Sequence, residues 1–582
     1  MTIKNHFLPL LIGILFLIAG FCLYGSAGHD DSHITFWASY TLSEFGEILN
    51  YNGDRIEQSS SLLQTLLTAF FAFIFQADVV TVGYLITHLA GAVAIFLTWQ
   101  LLEKGGQSNI SEKPKCYSDP LFPILLLASS PAFMLWNTSG MESTLAAACL
   151  LWFVLCWGAL LNGQQAVNTR SLTLASFATF ALISVRPEMI SLAAATVFLL
   201  FIWRRVSGTR GNLPILLFYS TVLLSIALLA VWRYFYFGSP MPLPVYAKVS
   251  PLSEEKIYFG TIYLLRYSMA NPVFLVGLIA ALIYLARVIW KKTNGTEIHH
   301  AALLSAFILL AYTAFIWVSG GDWMQAGRFL VPVLPLAAIF CGELFKTLPK
   351  KFVIPLVAAL LLLNLYSHYE VLKQQSHGTP LWASFHILEK HQQQYSIFEQ
   401  YNQEHLRDLD VIDKLDETIS QLIEKRGAPV TLLSGQSGMV FYYTAKKYFR
   451  QIVFYDNRGL VEKSLLKCKH LDDIPRSSQG LYFDLDGFFA RQPGLYDDCG
   501  IPEPDILYDI NDLSRQLPQR MSEQSYTLIH KEGGKMLKPS TSLPVNALPA
   551  VNFVMVANDL MDELGNPSPT ITRYHEKPLV KR

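Results

Sequence analysis

Charge is scarce in this chain. Only 15% of its 582 residues are Asp, Glu, Lys or Arg, and the 45 acidic and 45 basic side chains cancel. That balance gives no electrostatic footprint for nucleic acid or for an anionic partner surface. The seven cysteines include no CxxC spacing and lie near no His-rich tract, which argues against a structural zinc module and a dithiol redox centre. No GxxxxGK[ST] run is present, so no nucleotide-triphosphate engine is encoded. Ser434-Gly435-Gln436-Ser437-Gly438 sets serine between glycines without matching the GxSxG hydrolase elbow. There is no repeat at solenoid periods and no low-complexity tract.

What abounds is hydrocarbon. With 52% apolar residues and positive mean hydropathy, the chain is too greasy for one soluble domain of its length. A bilayer core of about 30 Å needs about 20 helical residues, and apolar stretches near that length fall at 7–25, 79–102, 120–136, 143–162, 171–185, 189–204, 213–235, 271–290, 300–318, 328–346 and 352–367. The first is long for a signal-peptide core and many like it follow, so it reads as an uncleaved helix. The expectation is an all-α polytopic membrane domain of about eleven transmembrane helices over residues 1–368. Residues 61–75 are apolar but short. Counting them as a span would break the charge alternation between loops, so they read as an interfacial or re-entrant helix.

Lysine and arginine collect in every second gap: Lys104, Lys113 and Lys115; Arg170; Arg204, Arg205 and Arg210; Lys291 and Lys292; Lys346, Lys350 and Lys351. The positive-inside bias turns these gaps, and the N-terminus, to the cytoplasm and puts everything after residue 368 outside. Past that point apolar runs shorten. Helix-like residues 381–425 give way to strand-like 430–433 and 451–454 with an aromatic helix-like stretch between, which suggests a small α/β extracytoplasmic domain over 369–582. Cys22, Cys116, Cys149, Cys156 and Cys341 sit in or beside apolar spans, where buried thiols are ordinary packing residues. Cys468 and Cys499 in the tail are disulfide candidates if that compartment is oxidising.

The opposite gaps hold the unusual residues: Asp30 and Asp31, Glu57, Glu142, Arg186 with Glu188, Tyr246 and Lys248, and Asp322 leading to Arg328. Each has a plain reading as a helix-end acid or a snorkelling cation. Against it, paired carboxylates at the mouth of a span force their affinities for protons apart. Arginines are also disfavoured on the outer side, and two of them with a lysine fit a phosphate clamp.

Taken in order, His29-Asp30-Asp31 with Ile34-Thr35, the run from Asn50 to Glu57 with Ser59-Ser60-Ser61, Ser139-Gly140-Met141-Glu142, Arg186-Pro187-Glu188, Tyr234 to Gly238 with Pro244 to Val249, and Gly320-Gly321-Asp322-Trp323-Met324 with Arg328-Phe329 and Pro332 resemble the polyprenyl-phosphate-sugar-dependent GT-C glycosyltransferases. The nearest group is the mycobacterial terminal β-1,2-arabinofuranosyltransferase family. The similarity covers about residues 1–370 and, more loosely, Gly435 to Leu460. It implies a GT-C fold, with Asp30 as general base on the acceptor hydroxyl and Asp31 positioning acceptor or base. Arg328, Lys248 and Arg186 would hold the donor phosphate, and Glu142, Glu188, Asp322, Tyr246 and Glu57 would contact substrate. The chain departs from the family in two places. Ser32-His33 follows the acids where a small then an aromatic residue is usual, and Glu57-Gln58-Ser59-Ser60-Ser61 stands where the family has a Glu-Gly-Tyr-Thr-Asn-like segment.

The expected activity is inverting transfer of a sugar, arabinofuranose by preference and hexose otherwise, from a polyprenyl phosphate to a periplasmic glycan, lipid or protein acceptor at the bacterial inner membrane. Chain cations can stabilise a monophosphate leaving group, which leaves room for, but does not require, a divalent cation such as Mg or Mn on the acids. A flippase or transporter of lipid-linked sugars is the alternative. Such proteins usually show mid-membrane charges and repeated halves, and here the charges cluster outside the spans. A non-catalytic receptor with a partner-binding tail is the third reading.

Overall fold

The structure, a computed structural model, describes residues 4–24, 30–106, 119–162, 167–207, 213–248, 251–292, 300–322, 325–373, 397–427, 429–434, 437–456, 458–464, 504–508, 526–532, 552–557, 560–561, 564–565 and 570–572. The chain divides into two compact units. One gathers Met1–Gly28, Ser61–Pro240 and Pro251–Glu399; the other gathers His29–Ser60, Met241–Ser250 and Gln400–Arg582.

The first unit is helical. Among the described residues, eight helices are long and apolar enough to cross a membrane, or nine if the bent pair Leu121–Ala128 and Pro131–Thr138 is one span. The chain is thus a multi-pass membrane protein; among the described residues eight or nine of the roughly eleven apolar stretches form helices of full spanning length. Thr169–Val185 has only 17 residues, and Glu188–Ser207 carries a carboxylate at one end and Arg204 and Arg205 at the other. Residues 61–75 form a 14-residue helix, Leu62–Phe75, capped by Ser61, too short to cross on its own. Burial sorts the bundle: 83% of the Ser143–Leu161 window is buried but only 22% of the Leu213–Phe237 window, so the former is core and the latter rim.

The 57° bend between Leu121–Ala128 and Pro131–Thr138 has a chemical cause. Pro131 lacks an N–H and cannot continue a helix from 121–128, which leaves carbonyls without their usual donors. The helix Lys350–Lys373 supplies them. Asn364 Nδ2 donates to Leu126 O (3.1 Å), and His368 Nε2 lies 3.0 Å from Ser129 O. A carbonyl can only accept, so the proton sits on Nε2 and Nδ1 accepts from the Tyr24 hydroxyl. Freed backbone groups at membrane depth are tolerated only with partners of this kind.

The second unit is built on a six-stranded mixed sheet. Its strands are β1 (Val430–Ser434), β2 (Ile452–Asp456), β3 (Ile506–Tyr508), β4 (Tyr526–Glu532), β5 (Asn552–Ala557) and β6 (Thr570–Thr572), in the order β2-β1-β3-β5-β4-β6. The helix Met439–Tyr448 joins β1 to β2, which pair in parallel, Val430 opposite Ile452 and Ser434 opposite Asp456. The helix Ile397–Arg426 buries Leu415, Ile419 and Leu422, one face at helical spacing. On the edge strand β2, the Asn52 side chain continues the ladder. Its Nδ2 donates to Phe454 O (2.9 Å) and its Oδ1 accepts from Phe454 N (2.7 Å). That contact, with Asn50 Nδ2 on Val461 O (3.1 Å), seats the 50–57 loop on the sheet.

At the end of β2 the fully buried Asp456 carboxylate accepts the backbone N–H groups of Arg458 (2.9 Å), Leu460 (2.6 Å) and Val461 (3.2 Å). Burial raises its pKa above the usual carboxylate value and the three N–H donors oppose that rise. Burial also pushes neighbouring Glu462 up to about 7. A carboxyl whose folded pKa exceeds its unfolded one binds an extra proton in the folded state between those two values. Its contribution to stability is therefore full below about pH 4.3 and falls as pH rises towards 7. Glu462→Gln is expected to raise the melting temperature at pH 8, by the equivalent of about 1–2 kcal/mol, and to change it little at pH 4.5. Equal shifts at both pH values would count against Glu462 as the titrating group.

Candidate active site

In the first unit the Arg-Pro-Glu turn is set by its proline. The residue before a proline is driven out of the helical region, and Arg186 is extended at φ −156°, ψ 143°, ending the helix Thr169–Val185. Glu188 then opens the next helix, where the positive end of the dipole favours a carboxylate. Arg186, 5% exposed, donates from Nε to Glu188 and from Nη1 to Glu142 Oε1 (2.9 Å). The Tyr312 hydroxyl adds a 3.3 Å bond to Glu188 Oε1.

The Gly-Gly-Asp turn follows the helix His300–Ser319. Gly321 sits at φ +77° against Tyr263, where a Cβ would lie 2.5 Å from the ring's Cγ, so only glycine fits both the conformation and the space. Asp322 then faces Arg328, which donates from Nε (2.5 Å) and more weakly from Nη2 (3.4 Å) to its two oxygens. The structure joins this ion pair to the first one through Phe329. The Arg186 guanidinium carbon lies 4.7 Å from that ring's centre and the Arg328 carbon 4.9 Å from it. Glu142, Arg186, Glu188, Asp322 and Arg328, contributed by separated turns, thus form one buried cluster, its acids engaged by its cations.

In the second unit Asp31 precedes the helix Ser32–Phe45, and its side chain makes no capping bond to that helix. Simple helix capping therefore does not account for the acidic pair. Asp30 Oδ1 instead accepts from the backbone N–H of Met439 (2.5 Å), the first residue of Met439–Tyr448. Tyr51, fully buried, donates its hydroxyl to Gly438 O (3.3 Å). Burial first, and the negative charge of Asp30 second, hold that hydroxyl's pKa well above the ordinary tyrosine value, so it stays a donor. Tyr51 stacks on Trp37 (5.2 Å) and meets Phe441 edge-on (5.4 Å). His33, at the position where the family carries an aromatic residue, packs as one: its ring lies 5.5 Å from Tyr442 and 5.4 Å from Phe36.

Glu57 is buried, and its carbonyl accepts from Leu243 N (2.9 Å), which ties the short helix Leu243–Lys248 to the 50–60 loop. On that helix Tyr246 is exposed and Lys248 half-buried. His29, Trp323, Cys468 and Cys499, and with the last two the disulfide candidate, lie outside the described residues. Among the described residues no group of three His, Cys, Asp or Glu side chains is placed to hold a metal ion. Sequence reasoning passed over Tyr312, Phe329, Tyr51 and the Gly438-Met439 peptide. Phe329 and Tyr51 stand inside blocks that carry the resemblance and Gly438 closes the Ser434–Gly438 run, whereas nothing local marks Tyr312.

No protein-family model and no curated protein sequence matches the chain. Among solved structures, the crystal structure of ArnT from Cupriavidus metallidurans bound to undecaprenyl phosphate aligns with a TM-score of 0.52 over 95% of this chain and 97% of that one, at 13% identity. Its apo state gives 0.51 over 96% and 99%, at 14%. The fold is of the GT-C type. The arabinofuranosyltransferase AftD from Mycobacteria aligns at a TM-score of 0.47 over 94% of this chain and 39% of that one, at 12% identity. At 13–14% identity what is shared with ArnT is the fold, and the side-chain chemistry rests on the residues described above.

Proposed function

We propose that this chain is an integral membrane glycosyltransferase that moves a sugar from a polyprenyl-phosphate donor to a glycan, lipid or protein acceptor. The observation that carries the reading is the GT-C fold over nearly the whole chain, shared with an enzyme solved with undecaprenyl phosphate bound. Arabinofuranose is the favoured sugar and a hexose the variant within the class. The site faces the periplasm of a bacterial inner membrane, with the N-terminus cytoplasmic and the α/β domain outside.

In this proposal Asp30 takes the proton of the acceptor hydroxyl as its oxygen attacks the anomeric carbon. The bond from that carbon to the phosphate oxygen breaks on the opposite side, with inversion. Asp31 orients the acceptor. Arg186, Arg328 and Lys248 neutralise the departing phosphate, with Glu142, Glu188, Asp322, Tyr246 and Glu57 as substrate contacts. The order of the blocks along the chain and the charge that transfer develops support giving these residues to one reaction. No step is routed through a metal. Turnover is expected to survive chelation by EDTA, and a loss restored by Mg or Mn would put a divalent cation on the acids instead.

A strain lacking the chain tests the reading. A transferase that has lost its outlet leaves unused donor, so lipid extracts are expected to accumulate a polyprenyl phosphate bearing one sugar, whose mass identifies that sugar. Unchanged lipid-linked sugars, with all envelope glycans intact, would remove the proposal.

A further inference from the structure

One hydrogen-bond donor to Asp30 comes from far along the chain, beyond every candidate membrane span among the described residues. A carboxylate that must take a proton from a hydroxyl has to be held to within a fraction of an ångström, and a turn beside a span end does not do that alone. The Asp30 side chain is half-buried and its Oδ1 receives the first free N–H of the helix Met439–Tyr448. Gly438 is what permits the approach. A Cβ there would overlap the carbonyl oxygen, the Oδ1 and, at 2.5 Å, the carbonyl carbon of Asp30. Two of those three atoms are backbone and cannot swing away. Gly438 has φ −91°, so the requirement is for space and not for a left-handed backbone. On its other side the Gly438 carbonyl accepts from Tyr51, itself wedged between Trp37 and Phe441. The helix Ser32–Phe45, which begins just after Asp30, meets Met439–Tyr448 again through the His33 ring on Tyr442.

From this geometry we infer that the Gly438-Met439 peptide is the positioning element for Asp30, so that the C-terminal residues complete the catalytic machinery. Gly438 and Tyr51 are positioning residues and act only through Asp30. The inference rests on Asp30 being the base, and the variants below separate the two claims.

The experiment is steady-state transfer by the full-length chain in membranes or nanodiscs, with a synthetic polyprenyl-phosphate sugar. Gly438→Ala is expected to lower kcat by about 100-fold while the KM for donor moves less than about threefold, because a displaced base loses alignment without touching donor binding. Tyr51→Phe keeps the ring packing and removes the hydroxyl's bond to Gly438 together with its interaction with the Gln58 side chain, so a fall of about 3- to 10-fold is expected, again in kcat. Both effects should vanish in an Asp30→Asn background, because a group that acts through Asp30 has nothing left to align. If Gly438→Ala does not fold, Tyr51→Phe decides alone by the same double-variant comparison. Wild-type kcat in the folded variants, or losses that multiply undiminished onto Asp30→Asn, would overturn the inference and leave the base assignment standing. Wild-type turnover in Asp30→Asn itself would remove the base assignment first.

Discussion

Asp30→Asn is expected to reduce sugar transfer by about 10²- to 10⁴-fold, the usual worth of a positioned general base. The asparagine variant isolates that effect better than alanine. An amide oxygen can still accept the Met439 N–H, so the contact that Asp30 Oδ1 makes at 2.5 Å can be kept while the basic oxygen is lost. Folding stability should therefore change by less than about 1 kcal/mol, and donor binding, measured directly with a polyprenyl phosphate, should be unaltered. Asp30→Ala would lose the base and the contact together and is expected to be both inactive and less stable. Asparagine and wild type turning over at the same rate would show that Asp30 serves only as a structural acid at a helix end.

The second large effect concerns Arg186. Replacing it with methionine leaves Glu142 and Glu188 without the cation they bond in a buried setting, where their side chains are 3% and 13% exposed. Removing one partner of such a group typically costs about 3–5 kcal/mol, enough to lose most of the folded protein. That loss alone would not distinguish a phosphate ligand from a counter-ion. The triple variant Glu142→Gln, Arg186→Met, Glu188→Gln does, because it removes the charges as a set and is expected to restore folding. Because Glu142 and Glu188 are themselves assigned as substrate contacts, the readout is binding of sugar-free polyprenyl phosphate, which the loss of two carboxylates cannot weaken by charge: an affinity at least about 10-fold weaker marks Arg186 as a phosphate ligand, and an unchanged affinity marks it as a counter-ion to the acids.

The membrane unit was legible in the sequence because hydrocarbon runs near bilayer length leave little alternative structure. Their number was less so: Thr169–Val185, at 17 residues, and the break at Ser129-Ser130 turn on local end chemistry that a hydropathy window averages over. The strand signatures at 430–433 and 451–454 coincide with β1 and β2 because β-branched and aromatic residues are dense there. The acids and arginines of the gaps expected to face outward stood out as expensive residues. What they bond to did not, since Tyr312 beside Glu188, Phe329 under two guanidiniums and Met439 on Asp30 are pairings of sites up to 409 residues apart in sequence. Ser434 to Gly438 invited comparison with a nucleophile motif, but its structural weight lies on the last glycine, through the absence of a side chain.

The most direct test is to reconstitute the purified chain in vesicles with an isotopically labelled polyprenyl-phosphate sugar and an envelope-derived acceptor, and to follow both products. The account predicts free polyprenyl phosphate and glycosylated acceptor appearing one for one, with the anomeric configuration inverted. Labelled lipid that crosses to the other leaflet with its sugar still attached, and no acceptor product, would contradict it and identify a flippase.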